Sequence, residues 1–201
     1  MNTGVQNMDK LSRDDLFSLE QYSVERPDFR ARVLQHKKPR KVTIGEHLTL
    51  YFEDRLTMQY QIQEMLRIEK IFEADGIQEE LDAYNPLIPD GTNFKATMMV
   101  EFDDVEERKQ ALARLVGIED KVWMQVQGHG KVYAISDEDL GRTEADKTSA
   151  VHFSRFELTQ QMIDDLRAGG SLAVGCDHEA YQHVIEAVDE PTRLSLLGDL
   201  N

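Results

Sequence analysis

Two carboxylates and one amide lie where a helix is expected to be apolar. Residues 55–74 have the 3.6-residue period of an amphipathic helix. Gln61, Glu64 and Glu69 fall inside its apolar arc, and a buried carboxylate without a partner costs several kcal/mol. We therefore expect Glu64 and Glu69 to be poorly exposed, each with a partner. The apolar arc consists of Leu56, Met58, Tyr60, Ile62, Met65, Ile68, Ile71 and Phe72.

Two kinds of chemistry fit these carboxylates. Glu69 and Glu73 are four residues apart, so both can face one metal ion from a single helix face. A carboxylate in an apolar arc can also serve as a general base, because burial raises its pKa. The simpler interpretation is a set of salt bridges to cations of residues 37–41. The sequence leaves these interpretations open.

A basic run, HKKPRK at residues 36–41, is the one concentrated positive segment of an acidic chain. His36, Lys37, Lys38 and Arg40 are therefore candidates for an anion site that takes a phosphate or a carboxylate. The run also follows a predicted helix, and cations at a helix C-terminus complement the helix dipole. Both interpretations fit the sequence equally well.

Histidine positions single out two further metal-ligand candidates, His152 in a predicted strand and His178 at a strand end. Cys176, His178 and His183 match no common zinc spacing. Cys176 is a poor candidate nucleophile because the adjacent Asp177 would raise its pKa. A hydrogen-bonded structural role is the simpler expectation for each histidine.

Composition narrows the function classes. The net charge of −15 over 201 residues argues against binding nucleic acid or an anionic membrane. A single cysteine excludes an internal disulfide, and no apolar run is long enough to span a membrane. Phosphate-binding glycine motifs are missing, so no nucleotide cofactor is expected. The sequence leaves the cofactor unknown, with a metal ion as one candidate. A cytoplasmic location is expected by default, and the sequence leaves an oligomer open.

The hydrophobic pattern predicts α+β architecture: a largely antiparallel sheet of short strands with packed helices and one long central helix at 54–75. Helices are also predicted at 13–25, from 27 to the basic run, and at 77–84, 104–115, 159–169 and 191–200. Strands are predicted at 42–44, 48–52, 95–102, 122–126, 132–135, 150–158, 172–176 and 184–188. The prolines of residues 85–91 predict a rigid loop.

Domain organisation is expected to be simple. Residues 1–7 are predicted to be a disordered lead-in, and residues 8–201 a single α+β domain in which residues 8–92 could form a helical subdomain. Because a short hairpin joins the basic run to the long helix, the two segments must lie close together. We expect a functional surface where residues 36–41, the acidic helix and the 85–91 loop converge.

Long segments of the chain resemble a bacterial family known as domain of unknown function 3501. They are FEDRLTMQYQIQEMLRIEKIFEADGIQEELDAYNPLIPDGTNFKATMMVEF, ALARLVGIEDKVWMQV and VHFSRFEL. The resemblance covers residues 8–200 and implies no established activity. The resemblance implies that the gene of this protein lies beside genes for rubrerythrin-like proteins and iron–sulfur or flavin oxidoreductases. Such a protein would be its partner in redox or peroxide defence. Recurrent family segments fall on His36, Lys37, Lys38, Glu64, Glu69, Glu79, Glu80, Asn85, Pro86, His152 and His178.

Three hypotheses follow. The first is a non-catalytic accessory protein that binds a metal, an anion or an oxidoreductase partner. The second is an enzyme of unrecognised type that uses Glu64 or Glu69 with a histidine in a cleft. The third is a structural subunit whose polar core residues only specify the fold.

Overall fold

A computed structural model describes residues 9–139, 141–144 and 146–201. The predicted lead-in, residues 1–7, lies outside the described residues. The described chain contains six α-helices, namely α1 (Leu19–Lys37), α2 (Arg55–Glu69), α3 (Ala74–Tyr84), α4 (Val105–Arg114), α5 (Gln160–Arg167) and α6 (Glu190–Leu197). Its nine strands are β1 (Lys41–Ile44), β2 (Leu48–Glu53), β3 (Asn93–Val100), β4 (Val122–Val126), β5 (Val132–Tyr133), β6 (Ile135–Ser136), β7 (Val151–Glu157), β8 (Leu172–His178) and β9 (Tyr181–Ile185).

Two antiparallel sheets form the body of the molecule, which confirms the predicted α+β class. One sheet has the order β1-β2-β3-β7-β6 and the other β5-β4-β8-β9. Apolar side chains of both sheets, together with side chains of α4, α5 and α6, belong to one buried cluster. The predicted hairpin partner of β4 is divided, because β5 pairs with β4 while β6 crosses to pair with β7.

Strand β7 shows how the sequence determines the two faces of the larger sheet. Its residues alternate, so His152, Ser154 and Phe156 are buried on the inner face. Val151, Phe153, Arg155 and Glu157 are partly exposed on the outer face. The helices α2 and α3 lie over this outer face, and their apolar residues form a second, smaller cluster.

Helix α1 corrects the predicted break at residue 27. The chain forms one helix across Pro27, capped by Ser18, instead of two. Phe29 and Val33 are buried as expected, and they pack near Tyr60 of α2. The hydrophobic contact with α2 therefore outweighs the hydrogen bond that a proline removes from a helix interior.

Helix α2 is shorter than predicted. It begins after its N-cap, Asp54, and ends at Glu69, where Lys70 adopts the left-handed conformation at φ 57°. Gly76, the predicted end, lies instead inside α3. Gln63 is buried although it lies outside the predicted apolar arc. It accepts a hydrogen bond from Phe17 N at 2.6 Å and donates one to Phe17 O.

The loop at residues 85–91 is fixed at both ends. The Asn85 side chain exchanges two hydrogen bonds with the backbone of Leu11. At the other end, Gly91 accepts a hydrogen bond from Asn201 N at 2.8 Å and bridges to Leu200. The loop therefore forms a fixed wall beside the outer face of the larger sheet.

Candidate functional site

A cleft crosses the outer face of the five-stranded sheet, beneath α2, α3 and the 85–91 loop. We call it the sheet cleft. It has two adjoining halves of about 310 and 360 Å3, which share Tyr84, Leu87 and Phe153. The smaller, apolar half is also lined by Lys37, Tyr51, Glu53, Met58, Gln61, Thr97, Met99 and Val151. The charged half is also lined by Asp82, Ala83, Pro86, Lys95, Glu138, Asp139, Arg142, Ser154 and Arg155.

The charged half is largely neutralised by its own ion pairs. Arg155 forms a bidentate pair with Glu138, at 2.9 Å for each hydrogen bond. Arg142 pairs with Asp139 and lies 4.6 Å from the ring centre of Phe153. Lys95 donates a hydrogen bond to the carbonyl of Pro86, and burial lowers the pKa of this lysine. The ion pairs and the ring contact hold Glu138, Asp139 and Arg142 against the sheet.

Glu53 is the exceptional residue of the apolar half. It is the last residue of β2 and is only 5% exposed. Its Oε1 accepts a hydrogen bond from Thr97 Oγ1 at 2.7 Å, whereas its buried Oε2 has no partner among the described residues. Leaving a buried acceptor unsatisfied is costly and uncommon, so this oxygen marks a place for a donor.

Three lysines surround the Tyr51 end of the cleft. Lys37, Lys38 and Lys41 line a shallow depression around this ring, and Lys37 also lines the apolar half. The Lys41 ammonium lies 5.4 Å from the centre of the ring. None of the three forms an ion pair with a described acidic residue. They form a free positive patch on an acidic protein, which we call the lysine patch.

Arg40, the fourth cation of the basic run, is committed to the fold. Its side chain is buried, with Nε donating to Phe52 O and Nη2 to Glu53 O, both at 3.1 Å. Nη2 also donates to Asp199 Oδ2 at 2.6 Å, and Nη1 to Ser195 O at 3.3 Å. The proposed place of Arg40 in an anion site is therefore wrong, because its donors are already used.

His36 is held in the same buried cluster. Its Nε2 hydrogen-bonds Asp54 Oδ2, and Asp54 also caps α2. Burial opposes ionisation of Asp54, but His36 and Arg40 outweigh it and lower its pKa. Burial raises the pKa of Asp199 to about 6, against the attraction of Arg40. His36 thus positions the basic run and does not line the sheet cleft.

Glu64 has a cationic partner, as its position in the apolar arc predicted. The partner lies in α1, however, and not among residues 37–41. Arg26 of α1 donates two hydrogen bonds to its carboxylate, at 2.7 and 2.9 Å, and Tyr22 donates a third at 2.6 Å. The bonds from Arg26 contribute most to lowering the pKa of Glu64, to about 2. Residues 37–41 take no part. Glu64 joins α1 to α2.

Glu69 is exposed, so the prediction that it is a buried carboxylate is wrong. The physical reason is the early end of α2 at this residue, which leaves no helix surface to cover it. Glu73 is also exposed, at the N-cap of α3. The two residues therefore do not share a helix face, which removes the geometric basis for a metal site there.

His152 is fully buried in a polar network. Its Nδ1 lies 2.6 Å from Asp137 Oδ2, and its Nε2 lies 2.9 Å from Thr148 Oγ1 and 3.8 Å from Glu119 Oε2. Both ring nitrogens are thus occupied. The network ties Asp137 and Thr148 to β7 of the larger sheet.

His178 and Cys176 are separate from this network. His178 Nε2 lies 3.2 Å from Val116 O, and its Nδ1 accepts a hydrogen bond from Ala180 N. Burial raises the pKa of the Cys176 thiol to about 11, which disfavours a nucleophilic thiolate. Over the described ranges, no three His, Cys, Asp or Glu side chains are grouped to hold a metal ion.

Fold and site together define an α+β protein of two antiparallel sheets with a partly apolar cleft on the outside of one sheet. Within the described chain, no helix is both long and apolar enough to cross a membrane.

The family model described as "Protein of unknown function (DUF3501)" matches residues 10–200, and the chain belongs to this family. The resemblance found in the sequence is thus confirmed. A crystal structure of a novel protein of unknown function from Burkholderia pseudomallei is similar, with 54% identity and a TM-score of 0.92. The match covers 96% of this chain and all of that one. No curated protein matches the chain.

Replacing Glu64 by Gln should lower the free energy of unfolding by about 1–2 kcal/mol at pH 7, because a charge-assisted bidentate contact becomes neutral. The folded pKa of Glu64 lies below its ordinary value of 4.5. Its ionised form therefore stabilises the fold above pH 4.5, and this contribution is lost as the pH falls from 4.5 towards 2. Urea unfolding at several pH values measures both effects.

Glu69→Gln is the matched control, since it makes the same chemical change five residues further along and at an exposed position. It should alter stability by less than about 0.5 kcal/mol at every pH. Equal effects of the two substitutions would show that the Arg26–Glu64 pair contributes nothing.

Proposed function

We propose that the protein is a non-catalytic binding protein whose ligand is a small organic anion, held in the apolar half of the sheet cleft. The lysine patch carries this proposal. Three lysines without acidic partners converge on one aromatic ring at the end of the cleft, in a chain of net charge −15. An anionic group is the natural counterpart of such a patch.

The helix dipole alone does not account for this arrangement. It favours cations in the last turn of α1, where Lys37 lies. Lys41, however, belongs to β1 and faces Tyr51 across the hairpin. The patch is therefore built by the helix end and the strand together, as a binding surface requires.

The floor of the cleft suits the rest of such a molecule. Tyr51, Met99, Val151 and Phe153 present aromatic, thioether and aliphatic surface on the outer face of the sheet, and Met58 covers it from α2. A volume of about 310 Å3 lies at the small end of the range of ligand sites. The anionic group would lie at the lysine patch, with an aromatic or apolar body along this floor.

The surroundings of Glu64, Glu69 and the histidines favour a binding function over a catalytic one. The alternative, an enzyme using Glu64 or Glu69 with a histidine, loses its basis because Glu64 is committed to Arg26 and Glu69 is exposed. A metal-binding role likewise gains no support from the described side chains.

A specific observation favours a second role, docking to a protein partner. Ile68 and Phe72 are 62% and 70% exposed around the end of α2, and the acidic Glu69 and Glu73 directly follow them in the sequence. Exposed apolar residues with a charged rim are typical of a docking patch. We propose, from the family resemblance, that the partner is a rubrerythrin-like or an iron–sulfur or flavin oxidoreductase of a bacterial redox or peroxide-defence system.

The anion proposal predicts that 8-anilinonaphthalene-1-sulfonate binds more tightly than N-phenyl-1-naphthylamine, which has the same body without the sulfonate. Replacing Lys37, Lys38 and Lys41 together by Gln should weaken sulfonate binding about tenfold and leave naphthylamine binding unchanged, since three exposed charges contribute roughly 1–2 kcal/mol. Fluorescence titration measures both affinities.

A second triple variant, Lys109→Gln, Lys121→Gln and Lys147→Gln, changes the net charge equally at exposed positions elsewhere. It should leave both affinities unchanged at moderate salt. Equal weakening by the two triple variants would attribute binding to overall charge and contradict the proposed site.

The docking proposal predicts that Phe72→Ser abolishes measurable binding of a purified rubrerythrin-like protein from the same cell in a calorimetric titration. Val24→Ser is the control, because Val24 is 76% exposed on α1. If both variants bind as well as the unaltered chain, the apolar patch is not the docking surface. If the unaltered chain binds no such protein, the partner class is wrong.

A further inference from the structure

We infer that the ligand of the sheet cleft carries a hydrogen-bond donor, a hydroxyl or an amine, at the end of its body opposite the anionic group, and that Glu53 accepts this donor. This inference rests on the proposed function and specifies the class of ligand further. The observation behind it is separate from the lysine patch.

The geometry of Glu53 leaves one hydrogen-bonding position open. Arg40 binds its backbone carbonyl, and Thr97 fixes Oε1 of its side chain. The second oxygen, Oε2, is buried and has no partner among the residues that the structure describes. Because both ends of the residue are held, the open position is preorganised and needs no rearrangement on binding.

The cations on the neighbouring strands are bound to other groups. Lys95 is the cross-strand neighbour of Glu53, but its ammonium donates to the carbonyl of Pro86. The guanidinium of Arg155 is taken by Glu138 and Glu157. Within the described chain, Glu53 forms no salt bridge, so Oε2 is open to a ligand donor.

The spacing of the two sites indicates where the donor lies on the ligand. Tyr51 marks the lysine patch, and Glu53 follows two residues later on the same face of β2. Two residues of a strand span roughly 7 Å. The anionic group and the donor should therefore sit at opposite ends of a rigid body about as long as two fused aromatic rings.

Three probes test this inference: naphthalene-2-sulfonate, 6-hydroxynaphthalene-2-sulfonate and 6-methoxynaphthalene-2-sulfonate. They share the anion and the rings, and only the hydroxyl compound adds a donor at the far end. We expect it to bind the unaltered chain about five- to tenfold more tightly than either of the others, on the scale of one buried hydrogen bond. Calorimetry, or displacement of 8-anilinonaphthalene-1-sulfonate, measures the three dissociation constants.

In Glu53→Gln, Thr97 still finds an amide oxygen, and the amide nitrogen takes the open position. The hydroxyl probe should then lose its advantage over the methoxy probe, whose oxygen accepts a hydrogen bond from that amide. Glu46→Gln is the charge-matched control, since its side chain is 89% exposed. This control should keep the full preference for the hydroxyl probe.

The possible results separate this inference from the proposed function. Equal affinities for the three probes, with the lysine dependence retained, would overturn the inference and leave the proposed function standing. A hydroxyl preference that survives in Glu53→Gln would place the donor site elsewhere and would also overturn it. If the unaltered chain binds none of the sulfonates, both fail.

Discussion

The buried guanidinium of Arg40 is the interaction on which the rest of the structure depends. It hydrogen-bonds the carbonyls of Phe52 and Glu53 at the end of β2 and pairs with Asp199 near the C-terminus. Asp54, the cap of α2, lies 3.4 Å away. One side chain thus joins the sheet, the helical layer and the final residues. A buried cation with this many partners is costly to remove, because each partner would be left without its donor.

This constraint also positions the cleft. Because Arg40 is drawn inward, the neighbouring Lys37, Lys38 and Lys41 are left around Tyr51. The alternation of β2 places the side chain of Glu53, like that of Tyr51, on the outer face beneath α2. The contact between Arg40 and the carbonyl of Glu53 therefore stabilises the fold. It also holds the backbone next to the two polar features of the proposed site, the lysine patch and the open carboxyl oxygen.

Local patterns in the sequence were sufficient to predict the first hairpin and the alternation of buried and exposed residues in β7. They were also sufficient to predict that Glu64 needs a partner. They were insufficient where burial depends on packing between elements. Glu53 reads as the solvated end of a strand, and only the helices that cover the outer face make it buried. Glu69 was predicted to be buried because nothing in the sequence indicates that the helix ends there. The left-handed residue that ends it is Lys70 and not a glycine. Arg40 and Lys41 are neighbours in one basic run, and only the tertiary structure separates their roles.

In the proposed function, one cleft between the lysine patch and Glu53 binds an organic anion. The most direct test is an amide NMR titration of the 15N-labelled chain with naphthalene-2-sulfonate, which maps the contact without any substitution. We predict shift changes concentrated at residues 37–41, 51–53, 97–99 and 151–153. Changes centred on residues 66–77, or spread evenly over the surface, would contradict binding in the sheet cleft.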